Sequence, residues 1–207
     1  MYNGQLLIKD SGHLGGYQVA FFNALCGDEG TWAPEIWNKI IKDYSIKSVV
    51  DIGCGLGFST LYFKNRGLLS VGVEGAEGAI VNAVYKGKII KNDYIVSSAL
   101  TDDKFDLCWC AEFVEHVEEK FMDNYLNDFK KCKYIAMTHA IVGQPGHHHV
   151  NCQNEPYWLD KMKENGFEVN RDYTDHLRAI VETLINDKIF PHALYLKTLL
   201  FFEKNEI

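Results

Sequence analysis

An apolar strand breaks into a glycine-rich turn and then a helix over Val49-Val50-Asp51-Ile52-Gly53-Cys54-Gly55-Leu56-Gly57. No other stretch constrains the fold as much. Gly53 and Gly55 carry no Cβ, so the backbone there can bend tightly and approach a ligand, and a helix opening near Gly57 aims free N–H groups at it. That geometry suits a nucleotide-like cofactor. The flanks exclude two familiar versions of such a turn. No Gly-Lys-Ser/Thr follows, as a phosphate loop requires, and Thr60 stands where the dinucleotide fingerprint needs a third small glycine.

Apolar segments alternate around this turn. Strands are expected at residues 49–52, 69–74, near 94–96, 107–110 and 134–137, with helical segments between them. Residues 35–44 carry a helical stripe of Ile36, Trp37, Ile40, Ile41 and Tyr44 behind Pro34, which suits a first helical turn. A helix from about Phe58 to Asn65 ends at Arg66-Gly67. Another over residues 156–164 stops at Gly166 before a sixth strand at 167–169, and the apolar run 193–202 gives a seventh, antiparallel strand. This order predicts an α/β fold: a Rossmann-like, mostly parallel, doubly wound seven-stranded sheet with helices on both faces.

The chain has 207 residues, 47% of them hydrophobic, enough for one sizeable core. Without repeats or linker-like tracts, residues 1–207 read as one domain. Residues 1–45 form its N-terminal lid and helix, and Ser11-Gly12-His13-Leu14-Gly15-Gly16 is either a lid over the site or an ordinary turn. Residues 172–190 read as a helical insertion before the last strand that covers the active site or forms a homodimer face. Met1 to Asp10 lacks the basic-then-apolar pattern of a signal peptide. Asp187, Lys188, Pro191 and Lys197 interrupt the C-terminal apolar stretch short of the ~20 residues of a membrane span. Six cysteines without a C-x-x-C pair point to a reduced, cytoplasmic protein. The net charge of −7 opposes binding to a polyphosphate backbone, so nucleic acid is not the expected partner.

The run Asp51 to Gly57 resembles the first motif of the class I S-adenosylmethionine-dependent methyltransferases. The resemblance implies that Asp51, Gly53, Cys54, Gly55 and Gly57 form the cofactor turn. Glu74 ends the second strand about twenty residues on, where a carboxylate accepts hydrogen bonds from both ribose hydroxyls. Asp93, beside Tyr94, then falls near the adenine amino group, with Ser97 or Ser98 as alternatives.

Just after the fourth strand comes Ala111-Glu112-Phe113-Val114-Glu115-His116-Val117. On a helix, positions i, i+3 and i+4 share a face, so Glu112, Glu115 and His116 converge. This E-x-x-E-H resembles two metal-using groups, the ubiquinone-biosynthesis catechol methyltransferases and the small-RNA 3′-terminal ribose 2′-O-methyltransferases. The resemblance implies a divalent ion on Glu112, Glu115 and His116, with a further histidine from beyond the fifth strand. His139 and Gly146-His147-His148-His149-Val150-Asn151 offer it. His148 is taken as the ligand and His149 as the base, the assignment between the two remaining open. His116 and Glu112 join His149 as catalytic candidates. Oxygen and nitrogen donors together suit Mn²⁺, Fe²⁺, Co²⁺ or Zn²⁺, or Mg²⁺ with waters.

The segment from Gly146 to Gln153, with Tyr157-Trp158, also resembles methyltransferases associated with glycan modification, over about residues 31–167. That resemblance implies a sugar acceptor whose neighbouring hydroxyls chelate the ion, with Trp158, Tyr157 or Trp32 stacked on its apolar face. The expected activity is therefore metal-assisted O-methylation of a sugar or glycan hydroxyl. The alternative is a metal-independent small-molecule O- or N-methyltransferase with His116, His139 or His149 as base. RNA ribose methylation and cofactor binding without turnover rank below both.

Overall fold

Alternation along the central strands decides which helices each residue meets. In the computed structural model, which describes residues 6–8, 17–19, 22–25, 27–189 and 193–205, the elements ahead of the sheet are α1 (Pro34–Asp43) and two short antiparallel ladders, Leu6–Ile8 with Tyr17–Val19 and Phe22–Asn23 with Gly27–Asp28. There follow β1 (Ser48–Ile52), α2 (Phe58–Asn65), β2 (Leu69–Glu74), α3 (Glu77–Val81) and β3 (Ile89–Lys91). The second half runs β4 (Phe105–Cys110), α4 (Met122–Phe129), β5 (Cys132–Met137), α5 (Glu155–Glu164), β6 (Phe167–Val169), α6 (Arg171–Asn186) and β7 (Leu200–Lys204).

The seven strands form one sheet in the order β3-β2-β1-β4-β5-β7-β6, parallel except for β7, which runs antiparallel to both neighbours. Val50 and Ile52 of β1, Cys108 and Cys110 of β4 and Leu200 and Phe202 of β7 face α4 and α5, packing on Tyr125, Phe129, Trp158 and Met162. The residues between them, Val49, Leu107, Trp109 and Phe201, face α1, α2 and α6, packing on Ile36, Trp37, Phe63, Leu177 and Val181. Two apolar layers therefore sandwich the sheet, the doubly wound arrangement expected. Strand order reverses between β1 and β4, and ligands bind such sheets outside the carboxyl ends of the strands at that point.

Three expectations need correction. The third strand is Ile89–Lys91, ahead of residues 94–96: the Asp93 carboxylate accepts the Ile95 amide at 3.0 Å and turns the chain there instead. The segment 193–202 is only partly strand, because Ala193–Thr198 winds into a 3-10 helix before β7 starts at Leu200. The insertion α6 is helical as expected but does not cover the site. It buries Thr174, Leu177, Val181 and Leu184, and Leu177 and Val181 pack in the α1 and α2 layer. The proposed lid at residues 11–16 lies outside the described residues. Among the described residues no helix is long and apolar enough to cross a membrane.

Candidate active site

A cavity of about 400 Å³ opens at the carboxyl ends of β1, β2 and β4 and extends to the turn after β3. On its β1 and β2 side the polar groups are paired. The Glu74 carboxylate accepts the amides of Gly55, Gly75 and Ala76, each at 2.8 Å, which fixes it at the strand end facing the cavity. Asp51 is buried and shares the α2-facing side of β1 with Val49, so its Oδ2 meets the hydroxyls of Ser59 and Thr60 at 2.6 Å each. Burial raises the Asp51 pKa to about 6 against the pull of those two hydroxyls. Gly53 sits at φ +73°, and a Cβ there would lie 2.8 Å from the Phe113 ring, so only glycine fits where the turn meets the cavity. Beyond β3, Asn92, Asp93, Tyr94 and Ile95 line the wall, and Tyr94 is anchored by donating to Asp128 at 2.9 Å.

The turn itself divides. Asp51, Gly53 and Cys54 line the cavity, while Gly55 and Gly57 shape the backbone behind it. Gly57, at φ +74°, is the N-cap of α2, and a Cβ there would strike Tyr85 at 2.8 Å. Burial raises the Cys54 thiol well above its ordinary pKa, so it stays neutral. Ser97 and Ser98 do not line the cavity, whereas Asp93 and Tyr94 do.

The β4 side is built differently. Glu112 is not helical. It stands at φ +53°, and only Val114–His116 form a single 3-10 turn, so the expected shared helix face does not exist. Register does what the helix was expected to do: Cys110 of β4 pairs with Met137 of β5, which sets the next residues side by side. The Glu112 amide donates to Thr138 Oγ1 at 2.8 Å, and that hydroxyl donates to Glu112 Oε1 at 3.1 Å. The Glu115 carbonyl accepts the amides of Val150 and Asn151 at 2.9 and 3.1 Å, docking the histidine loop onto the motif.

Docking brings Glu115, His116 and His149 together, with one possible ligand atom from each within 4.8 Å of the others. The imidazoles of His116 and His149 lie 5.1 Å apart. His149 Nδ1 is 3.2 Å from the Gln144 carbonyl, which can only accept, so Nδ1 carries a proton and Nε2 is the ring nitrogen turned away from that bond. Gly146 makes room for that ring, since a Cβ there would lie 2.0 Å from His149 Nε2. Glu115 is fully buried, and neither carboxylate oxygen has a hydrogen-bond partner. Burial, then the neighbouring Glu112 charge, pushes its pKa well above the carboxylate range. Burial also lifts Glu112 to about 7, opposed by Thr138 and reinforced by the Asp28 charge. Burial and repulsion from His149 hold His116 down at about 4, so it is neutral near pH 7.

This set fits a divalent cation. A buried carboxylate without well-formed hydrogen bonds is costly unless it holds a proton or a cation, and the two imidazoles beside it complete a mixed oxygen and nitrogen donor set. Of the loop histidines it is His149 that lies in the cluster, while His148, at φ +51°, lines the cavity outside it. Glu112 adjoins the cluster without belonging to it. His139 is buried away from the cavity beside Trp158. Trp158 is a core residue and Tyr157 donates to Glu119, so neither can stack on a ligand in the cavity, and Trp32 borders only an adjoining recess. Asp28 and Thr31, from the turn ahead of α1, form a wall that no sequence motif signalled.

Residues 50–132 match the family model described as a methyltransferase domain. Over 84 residues the chain is 36% identical to the probable chloroplastic tocopherol O-methyltransferase of Oryza sativa subsp. japonica, a match that takes in 36% of this chain and 23% of that relative. The chain thus spans less than a quarter of that relative's length. Its fold is similar to a SAM-dependent methyltransferase from Archaeoglobus fulgidus, with TM-score 0.54 and 20% identity over 84% of this chain and 95% of the other. It is equally similar to the [4+2]-cyclase SpnF, with TM-score 0.55 and 12% identity over 84% and 83% of the two chains. A frame shared with a cyclase does not set the reaction, which depends on the residues built onto it. Residues 50–132 match the methyltransferase-domain family, and the α/β fold around them is similar to that of a SAM-dependent methyltransferase.

Proposed function

We propose that this chain is an S-adenosylmethionine-dependent O-methyltransferase, assisted by a divalent metal, that acts on a hydroxyl of a sugar or glycan. The observation that carries the reading is Glu115: fully buried, without a partner for either oxygen, and clustered with His116 and His149 beside the cofactor cavity. When bound, the cofactor supplies an electrophilic methyl group, and the ion supplies Lewis-acid withdrawal of charge from a hydroxyl. The chain does the rest. Glu74 and the Gly53 turn hold the nucleoside. Glu115, His116 and His149 hold the cation, and Thr138 orients Glu112 at the cavity wall to receive the acceptor's proton. Alignment of hydroxyl and methyl within about 3–3.5 Å would account for much of the acceleration.

Two features favour an uncharged polyhydroxy acceptor. The segment from Gly146 to Gln153 resembles glycan-associated methyltransferases, and the described lining residues include Asp28, Asp51, Glu74, Asp93 and Glu112 but no Lys or Arg. Such a wall repels phosphates, which counts against RNA. The test is methyl transfer from labelled S-adenosylmethionine to rhamnosides, other glycosides, catechols and RNA termini, with Mn²⁺ or Mg²⁺ and again with chelator. Turnover on a glycoside that is lost on chelation and restored by metal is the expected result. Chelator-resistant turnover removes the ion from the mechanism, and transfer confined to RNA overturns the glycan reading.

A further inference from the structure

Strand order gives the cavity a direction. Its nucleoside end is at β2 and β3, where Glu74 and Asp93 line it, and its reacting end is at β4, where Glu112 and His116 line it. β1 lies between. Over β1 the wall consists of Gly53, Cys54 and Ser59 on one side and Asp28 and Thr31 on the other, and Asp28, Thr31, Cys54 and Ser59 also bound a small recess closed by Phe58. The methionine part of the cofactor, with its carboxylate and ammonium, must therefore end near this stretch. The first turn of α2 already serves the Asp51 carboxylate through the hydroxyls of Ser59 and Thr60 and the Thr60 amide. The ammonium needs an acceptor of opposite charge.

Asp28 is built into that position. Gly27, at φ +77°, lies so close to α2 that a Cβ on it would be 2.6 Å from the Phe58 ring, seating the Phe22–Asn23 and Gly27–Asp28 ladder on the first residue of the helix. The Gly30 amide donates to Asp28 Oδ1 at 2.8 Å, and the Thr31 amide donates to the Asp28 carbonyl at 3.2 Å. Among the described residues no Lys or Arg pairs with Asp28 or lines the cavity. Burial raises its pKa, a cost that an incoming cation would offset.

We infer that Asp28 binds the α-ammonium group of the cofactor's methionine part and so fixes the direction in which the methyl group points. This rests on the proposed use of S-adenosylmethionine and on nothing about the acceptor or the ion. The experiment is calorimetric titration of the full chain with S-adenosylhomocysteine, which carries the ammonium, and with 5′-methylthioadenosine, which lacks the amino acid. For Asp28→Asn the expected result is S-adenosylhomocysteine binding about tenfold weaker or more, with 5′-methylthioadenosine within about twofold of wild type. Equal weakening of both ligands, or of neither, overturns the assignment. If the Asn variant is too damaged to bind either, Asp28→Glu decides: a ratio of the two affinities near that of wild type supports the charge pairing, and a ratio collapsed toward one overturns it. A wild-type chain that binds neither ligand defeats the cofactor reading as well, an outcome distinct from the others.

Discussion

The two ends of the cavity treat buried charge in opposite ways. At the β1 and β2 end each carboxylate is satisfied by the chain itself: Glu74 by three amides and Asp51 by two hydroxyls. At the β4 and β5 end the buried Glu115 carboxylate makes no well-formed side-chain hydrogen bond and stands beside a second carboxylate and two imidazoles. The first end is held in place by the chain's own hydrogen bonds, as a site that orients a nucleoside under the proposed function would be. The second is incomplete as protein, and unpaired buried charge of that kind marks a place where a cation or a proton must be supplied.

The largest test of that contrast is Glu115→Ala. We expect methyl transfer to fall by about a hundredfold or more, since this removes a ligand from the cluster, while S-adenosylhomocysteine affinity stays within about twofold. The loop should remain docked, because Val150 and Asn151 bond the Glu115 carbonyl and not its side chain. Parallel loss of cofactor binding in calorimetry would break the comparison, since the two ends would then act as one unit.

Gly53→Ala sharpens it from the other end. The substitution forces a Cβ at φ +73° to within 2.8 Å of Phe113, and strain of about 1–3 kcal/mol falls on the cofactor turn. S-adenosylhomocysteine binding should weaken about tenfold while metal uptake, read by elemental analysis, is unchanged. A loss of metal with cofactor affinity intact would reverse the assignment of the two ends.

The smallest effect concerns pH. The Asp51 pKa rises from 3.8 to about 6 on folding, so between those values the folded chain holds a proton that the unfolded chain has lost. Stability from this group therefore falls as pH rises through that window, and the cost is fully present above it. Asp51→Asn does not titrate, so its Tm relative to wild type should climb by a few degrees between pH 4 and 7. A difference that is flat with pH would mean that Ser59 and Thr60 fully offset the burial.

The geometry of the β1 and β2 end was legible in the sequence because it is local. The glycine turn, the carboxylate closing β2 and Asp93 each act within a few residues of the strand that carries them, and alternation along Val49 to Ile52 already assigns the faces of β1. The misread third strand shows where such reading ends. Tyr94 has strand-like character by itself, but Asp93 captures the Ile95 amide and the buried Asp128, far along the chain, takes the Tyr94 hydroxyl. The acceptor end was legible in composition but not in geometry. E-x-x-E-H and three successive histidines announced a cluster, yet the scaffold is a 3-10 turn in place of a helix, and it is His149 that lies beside Glu115 and His116.

By itself, then, the sequence determined the α/β alternation, the glycine turn after β1 and the residue types that meet at the β4 end, since propensity, periodicity and glycine backbone freedom act over short spans. Only the tertiary structure decided that His149 joins Glu115 and His116, because that depends on the register of β4 against β5 and on two amides bonding one carbonyl. Only it brought Asp28 to the cavity wall, through the contact of Gly27 with Phe58. Long-range hydrogen bonds and packing choose among partners that a linear pattern leaves equivalent.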